Sequence, residues 1–122
     1  MTVHHFTLLQ VFNNVLNNRV ESIIRQGIGD GRIHVSAAFE KTDADTQVHL
    51  QVSDNGEGMS GETVKFIFAR YYFTKEKEPS GIRLHWCANA IIAMGGRMYA
   101  ESAGLGRGSS VHITFPAGLR EV

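Results

Sequence analysis

Between Phe6 and Gln26 the apolar residues Leu9, Phe12, Leu16, Val20 and Ile23 recur at spacings of three and four, which predicts an amphipathic helix. Asn14, Asn18, Glu21 and Arg25 recur at the same spacings on its opposite side, and the glycine-rich run Gly27 to Gly31 stops it. The period then changes to two. Ile33, Val35, Ala37 and Phe39 alternate with more polar neighbours in residues 32–41, and Val48, Leu50 and Val52 do so in 46–53. With the polar segment Thr42 to Asp45 between them, these predict an antiparallel hairpin in which each strand has one face for a core and one for water. Ser60 to Thr63 is suited to cap a short helix reaching about Phe68. Residues 69–80 lack a period and carry Lys75-Glu76-Lys77-Glu78, so a mobile loop is expected. Residues 81–94 are apolar nearly all round, predicting a buried helix ended by Gly95-Gly96. Two more strands, 97–102 and 110–115, flank a loop with glycines at 104, 106 and 108. This order predicts an α/β (α+β) two-layer sandwich. Its sheet is mixed, mostly antiparallel, and covered on one face by about three helices.

Composition narrows the class without deciding the chemistry. The 122 residues suit one domain, 1–122, and 43% hydrophobic with 20% charged residues is ordinary for a globular chain. Twelve basic residues balance twelve acidic ones, which gives no broad electrostatic case for nucleic acid or an anionic membrane. Cys87 is the single cysteine, set in the apolar run Trp86-Cys87-Ala88, and fits a buried thiol in a reducing compartment. No apolar stretch approaches the length of about 18 residues that spans a bilayer. A cytoplasmic domain without direct membrane insertion is expected, and the cytoplasmic part of a membrane-bound sensor has the same appearance.

Candidate chemistry lies in Val52-Ser-Asp-Asn-Gly-Glu-Gly-Met59, downstream of the asparagine pair Asn14 and Asn18. A strand ending in an aspartate and then G-x-G suggests a backbone that a flat, polar group approaches closely, because glycine lacks a Cβ and tolerates positive φ. Amide oxygens suit a hard cation such as Mg²⁺. Taken singly, the asparagines also suit a solvated helix face, and Asn55-Gly56 a tight turn. Together they point to a nucleotide-plus-metal site.

From Leu8 to Pro116 the chain resembles the ATP-binding catalytic domain of sensor histidine kinases, the HATPase_c group of the Bergerat-fold superfamily shared with DNA gyrase and MutL. Leu9 to Ile23 is similar to the family's asparagine box, which implies Mg²⁺ on Asn18 with Asn14 one turn earlier on the same face. Asp54-Asn-Gly-Glu-Gly-Met59 is similar to the box whose aspartate accepts the adenine amino group, a charge-assisted bond, while Gly56 and Gly58 let the base lie against the backbone beside Met59. Ile67 to Lys75 is similar to the phenylalanine box and the start of the ATP lid; Lys75, with Arg70, is placed to reach phosphate oxygens. Pro79-Ser-Gly-Ile-Arg-Leu84 stands where the family has G-x-G-x-G-L, so only Gly81 keeps a glycine. Pro79 lacks an N–H. Arg83 brings a bulky cation before Leu84, at a helix start that otherwise attracts anions; it either binds phosphate or obstructs it, and Arg83→Gly separates the two roles. Gly106 to Val111 is similar to the last box, with Ser109 supplying a hydroxyl near the aspartate.

The resemblance implies a domain that presents Mg-ATP for phosphoryl transfer to a histidine on a separate dimerisation domain, in the same or another chain, with a response regulator downstream. Positioning and charge neutralisation carry such chemistry. None of the six histidines lies in a helical H-E/D-x-x-x-P context, so the phosphoacceptor is expected elsewhere. Asn14 stands where gyrase-like relatives carry a basic glutamate, and an amide takes no proton at neutral pH. The alternative is a non-catalytic adaptor of the same fold with weak or no ATP binding; an anti-sigma type Ser/Thr kinase is a third. On this reading Asp54→Asn weakens adenine recognition and leaves the fold intact.

Overall fold

The computed structural model describes residues 2–3, 5–27, 29–41, 46–66, 80–117 and 120–121. In chain order the elements are β1 (Thr2–Val3), α1 (His5–Gln26), β2 (Ile33–Lys41), β3 (Thr46–Asp54), α2 (Gly61–Phe66), α3 (Ser80–Ala93), β4 (Arg97–Glu101), β5 (Ser109–Pro116) and β6 (Arg120–Glu121). Strands β2 to β5 form one sheet in the order β2-β3-β5-β4, every neighbouring pair antiparallel. Among the described residues, parallel pairing is confined to the two-residue β1 and β6, outside this sheet. The polar turn at 42–45 and residues 69–79 of the loop expected over 69–80 lie outside the described residues, while Ser80 opens α3.

Alternation decides which face meets the helices. Val52 and Leu50 of β3, and Val111 and Ile113 of β5, point to one side. There they enclose a core with Val11 and Val15 of α1, with Cys87 and Ile91 of α3 and with Met94 just beyond it. Burying such side chains stabilises by about 1.5–3 kcal/mol each. Cys87 is a fully buried thiol, as its apolar setting suggests. In α3 the buried residues Leu84, Cys87 and Ile91 fall on one stripe, and Trp86 and Ile92 are exposed. The helix therefore has an outer face, contrary to the all-round burial its composition implied.

Helix α1 is rotated relative to the face read from its periodicity. Leu8, Phe12 and Leu16 do pack against the core, but Val11, Val15, Asn18, Arg19 and Ser22 are the buried stripe, and Leu9 and Val20 are exposed. The helix turns polar side chains inward along its second half, where it meets the end of β3. Strand β2 departs from the one-wet-face expectation too. It is an edge strand, and Val35 and Phe39 remain exposed on the side where β3 carries the core.

The far face of the sheet carries a diagonal chain of side chains, one from each strand. Glu40 Oε2 is 2.7 Å from His49 Nδ1, His49 Nε2 is 2.8 Å from His112 Nδ1, and His112 Nε2 is 2.7 Å from Glu101 Oε1. Tyr99 stacks on His112 with ring centroids 4.5 Å apart. With both carboxylates ionised, three contacts need three hydrogens and two neutral imidazoles bring two, so the full chain closes on one imidazolium. The hydrogen bond from His49, joined by one from Gln47 at 3.0 Å, holds the Glu40 carboxyl below the ordinary glutamate range. A carboxyl lowered by folding contributes stability that is complete above its unfolded pKa and is lost as pH falls through the lower folded value. Glu40→Gln is therefore expected to flatten the acid limb of a stability–pH profile below the ordinary glutamate range. Urea titrations across that interval check it; an unaltered acid limb would show that the Glu40 contact carries no stability.

Candidate functional site

Register brings the site together. Asp54, the last residue of β3, is paired with Ser109, the first of β5, and with Ile33 of β2. The chain then turns sharply. Asn55 fixes the turn by accepting the Arg32 N–H at 2.7 Å and donating to the Asp30 carbonyl at 2.8 Å. The Gly56 N–H donates back to Asp54 Oδ1 at 2.7 Å, closing an Asx turn. The Gly108 N–H donates to the Gly56 carbonyl, and the Gly106 N–H to the Glu57 carbonyl, so the glycine-rich loop before β5 is laced to the G-x-G segment.

These bonds explain the glycines. A Cβ at Gly56 would press on Ser22 Oγ, Asp54 Oδ1 and the Ile23 amide, and one at Gly58, where φ is +73°, would overlap the Gly104 carbonyl. Close approach is required there, as the motif suggests, but the groups that approach are this chain's own backbone and side chains. Met59 and Leu84 are buried together with Ala100 in a small second core, with Val64 packed against it.

The carboxylate of Asp54 is fully enclosed, its side chain 0% exposed. Oδ1 takes the Gly56 N–H. Oδ2 accepts from Ser109 Oγ at 3.1 Å and from Arg19 Nη1 at 3.0 Å. Arg19, 3% exposed, reaches in from α1 beside Asn18. Its Nη1 also donates to Ser109 Oγ, and its Nη2 to Asn18 Oδ1, both at close range. One guanidinium thus bridges the carboxylate of one motif, the hydroxyl of another and the amide of a third. Two clefts, of about 440 Å³ beside Arg32, His34 and Asn55 and about 370 Å³ beside Ser102, Arg107 and Gly108, adjoin Asp54 from the sheet side, and neither is walled by Asn18 or Arg19.

Among the residues expected to bind a nucleotide, the structure joins Asn18, Asp54, Gly56 and Ser109. Asn14 turns instead toward α3, its Nδ2 3.7 Å from Cys87 Sγ. Gly81 lies in the first turn of α3. The side chain of Arg83, and Arg70, Lys75 and Pro79, fall outside the described residues. Arg19 was not singled out by its sequence position. The available signal was a fixed cation next to the metal-type asparagine, in a chain whose second motif opens with a carboxylate.

The sequence matches the family described as histidine kinase-, DNA gyrase B-, and HSP90-like ATPase over residues 4–119. The chain belongs to that family. Its relatives within the family include sporulation kinase D of Bacillus subtilis strain 168, 34% identical over 88% of this chain and 19% of the relative. The signal transduction histidine-protein kinase BaeS of Escherichia coli K12 is 30% identical over 89% of this chain and 22% of that protein. The chain thus spans about a fifth of the length of the curated relatives it matches. Among solved structures, the mycobacterial sensor histidine kinase MprB superposes with a TM-score of 0.70 at 22% identity, over 90% of this chain and 72% of that one. Full-length ShkA in complex with AMPPNP gives 0.72 at 24% identity, over 90% and 21%. The fold is that of the histidine kinase catalytic domain.

Mg²⁺ has a weaker fit than the family suggests. The Asn18 amide oxygen is already engaged by a cation, and among the described residues no cluster of three or more His, Cys, Asp or Glu side chains is arranged for a metal. No described helix is long and apolar enough to cross a membrane.

Proposed function

We propose that the chain is the ATP-binding catalytic domain of a histidine kinase, presenting the nucleotide to a phosphoacceptor histidine on a separate dimerisation domain, with a response regulator as the later recipient. The observation that carries this is the convergence of Asn18, Asp54 and Ser109 on one buried point, in a chain that matches the ATPase family over nearly its whole length. Asp54 is the acceptor for the adenine amino group, and Ser109 orients that carboxylate. Met59 and Leu84 form the apolar wall beside the turn; Gly56 and Gly58 shape it. Lys75, Gly81 and Arg83 belong to the lid side, where phosphates are expected. Asn18 enters as a metal donor only when its oxygen is released from Arg19. The domain works in the cytoplasm on this reading, as part of a longer sensor.

The adaptor reading is favoured by one specific observation, the occupation of both recognition groups by Arg19. Calorimetric titration with ATP, with and without Mg²⁺, separates the two. Saturable binding at micromolar to millimolar nucleotide is expected; its absence across that range removes the kinase reading and leaves the adaptor.

A further inference from the structure

We infer that Arg19 decides nucleotide access, acting as a built-in occupant of the base-and-metal corner of the site; this rests on the ATP-binding reading above. The guanidinium presents two donors in a fixed fork. Nη1 gives Asp54 Oδ2 the N–H that an adenine amino group would give, and Nη2 gives Asn18 Oδ1 the positive partner that a metal ion would supply. Ser109 Oγ completes the enclosure by donating to Asp54 and accepting from Arg19. With Gly56 on Oδ1, the carboxylate accepts three hydrogen bonds and is closed to solvent. A purine amino group therefore gains Asp54 only when Arg19 withdraws, and the apparent affinity falls by the fraction of molecules in which it has done so. A lysine in its place would offer three donors on a single nitrogen, a point charge without the planar fork that spans Asp54 and Asn18.

The same geometry predicts how the base is discriminated. Guanine carries a carbonyl where adenine carries the amino group, and a carboxylate repels it. While Arg19 covers Asp54 this difference is muted; once Arg19 is gone it is felt in full. The test is nucleotide binding by calorimetry and thermal shift, comparing wild type, Arg19→Lys and Arg19→Ala with ATP and with GTP. Arg19→Ala is expected to bind ATP on the order of tenfold more tightly than wild type, a step of about 1.4 kcal/mol, with a wider preference for ATP over GTP. Arg19→Lys is expected to fall between.

Equal ATP affinity and equal ATP/GTP ratios in all three proteins would overturn the role of Arg19 and leave the ATP-binding reading standing. Absence of binding in all three would overturn both. Weaker ATP binding by a folded Arg19→Ala would make the arginine a ligand of the nucleotide and sink the inference. Should Arg19→Ala not fold, the wild type decides by nitrogen-15 NMR of the arginine side chains. Adding millimolar ATP is expected to bring the Arg19 guanidinium protons into fast exchange with water. Unchanged exchange with ATP present would overturn the inference.

Discussion

Asp54→Asn is expected to remove about 3–5 kcal/mol of folding stability, the cost of leaving one member of a buried ion pair without its partner. The carboxylate is fully enclosed and Arg19 nearly so, with 3.0 Å between them. Neutralising Asp54 therefore takes the carboxylate away from a guanidinium that cannot shed its proton and is only 3% exposed. Domains of this size are stable by about 5–15 kcal/mol, so the loss is a large part of the total. Urea unfolding checks it, read as a lower midpoint at constant m. The double variant Arg19→Met with Asp54→Asn, which carries no charge at this point, is expected to recover most of the loss. A single variant as stable as wild type would mean the pair is not formed in solution. This revises the expectation that Asp54 is purely a recognition group whose removal leaves the fold intact.

Gly108→Ala is expected to be the other severe substitution. Gly108 has φ of +72°, and an added Cβ would overlap the Asp54 carbonyl oxygen, a backbone atom in the strand pair that defines the site. The left-handed conformation alone costs a residue with a Cβ about 1–3 kcal/mol, and the overlap adds to it because neither backbone segment can swing aside. Gly29→Ala supplies the contrast: nothing lies within 4 Å of the Cβ position there. It is expected to stay within about 0.5 kcal/mol of wild type. Equal midpoints for the two variants in urea would show that the loop before β5 is not laced to the G-x-G segment.

What could be read from the residues alone was set by how local each signal is. Alternation in 33–39 and 48–52 is a property of neighbours, and it placed β2 and β3, their antiparallel pairing and the core face of β3 correctly. The asparagine helix and the aspartate turn were legible for a different reason, since each is a short motif with restricted spacing. The rotation of α1 was not legible. Its apolar residues spread over more than one stripe, and the choice between Leu9–Val20 and Val11–Val15 depended on α3 and β3, which periodicity within one helix does not report. Arg19 was missed on the same ground. A charged residue is assigned to solvent unless its counter-charge is known to lie beside it, and Asp54 meets it only through tertiary contact.

The ring-to-carboxylate chain on the back of the sheet also restricts how the strands can slide. Its links run from Glu40 on β2 through His49 and His112 to Glu101 on β4, and each joins strands at a single offset. A slip of one position would carry a histidine to the helix side and an aliphatic residue to the outside. The four side chains therefore act as a gauge of alignment, resisting misfolded pairings whose apolar matches would otherwise compete with the native one.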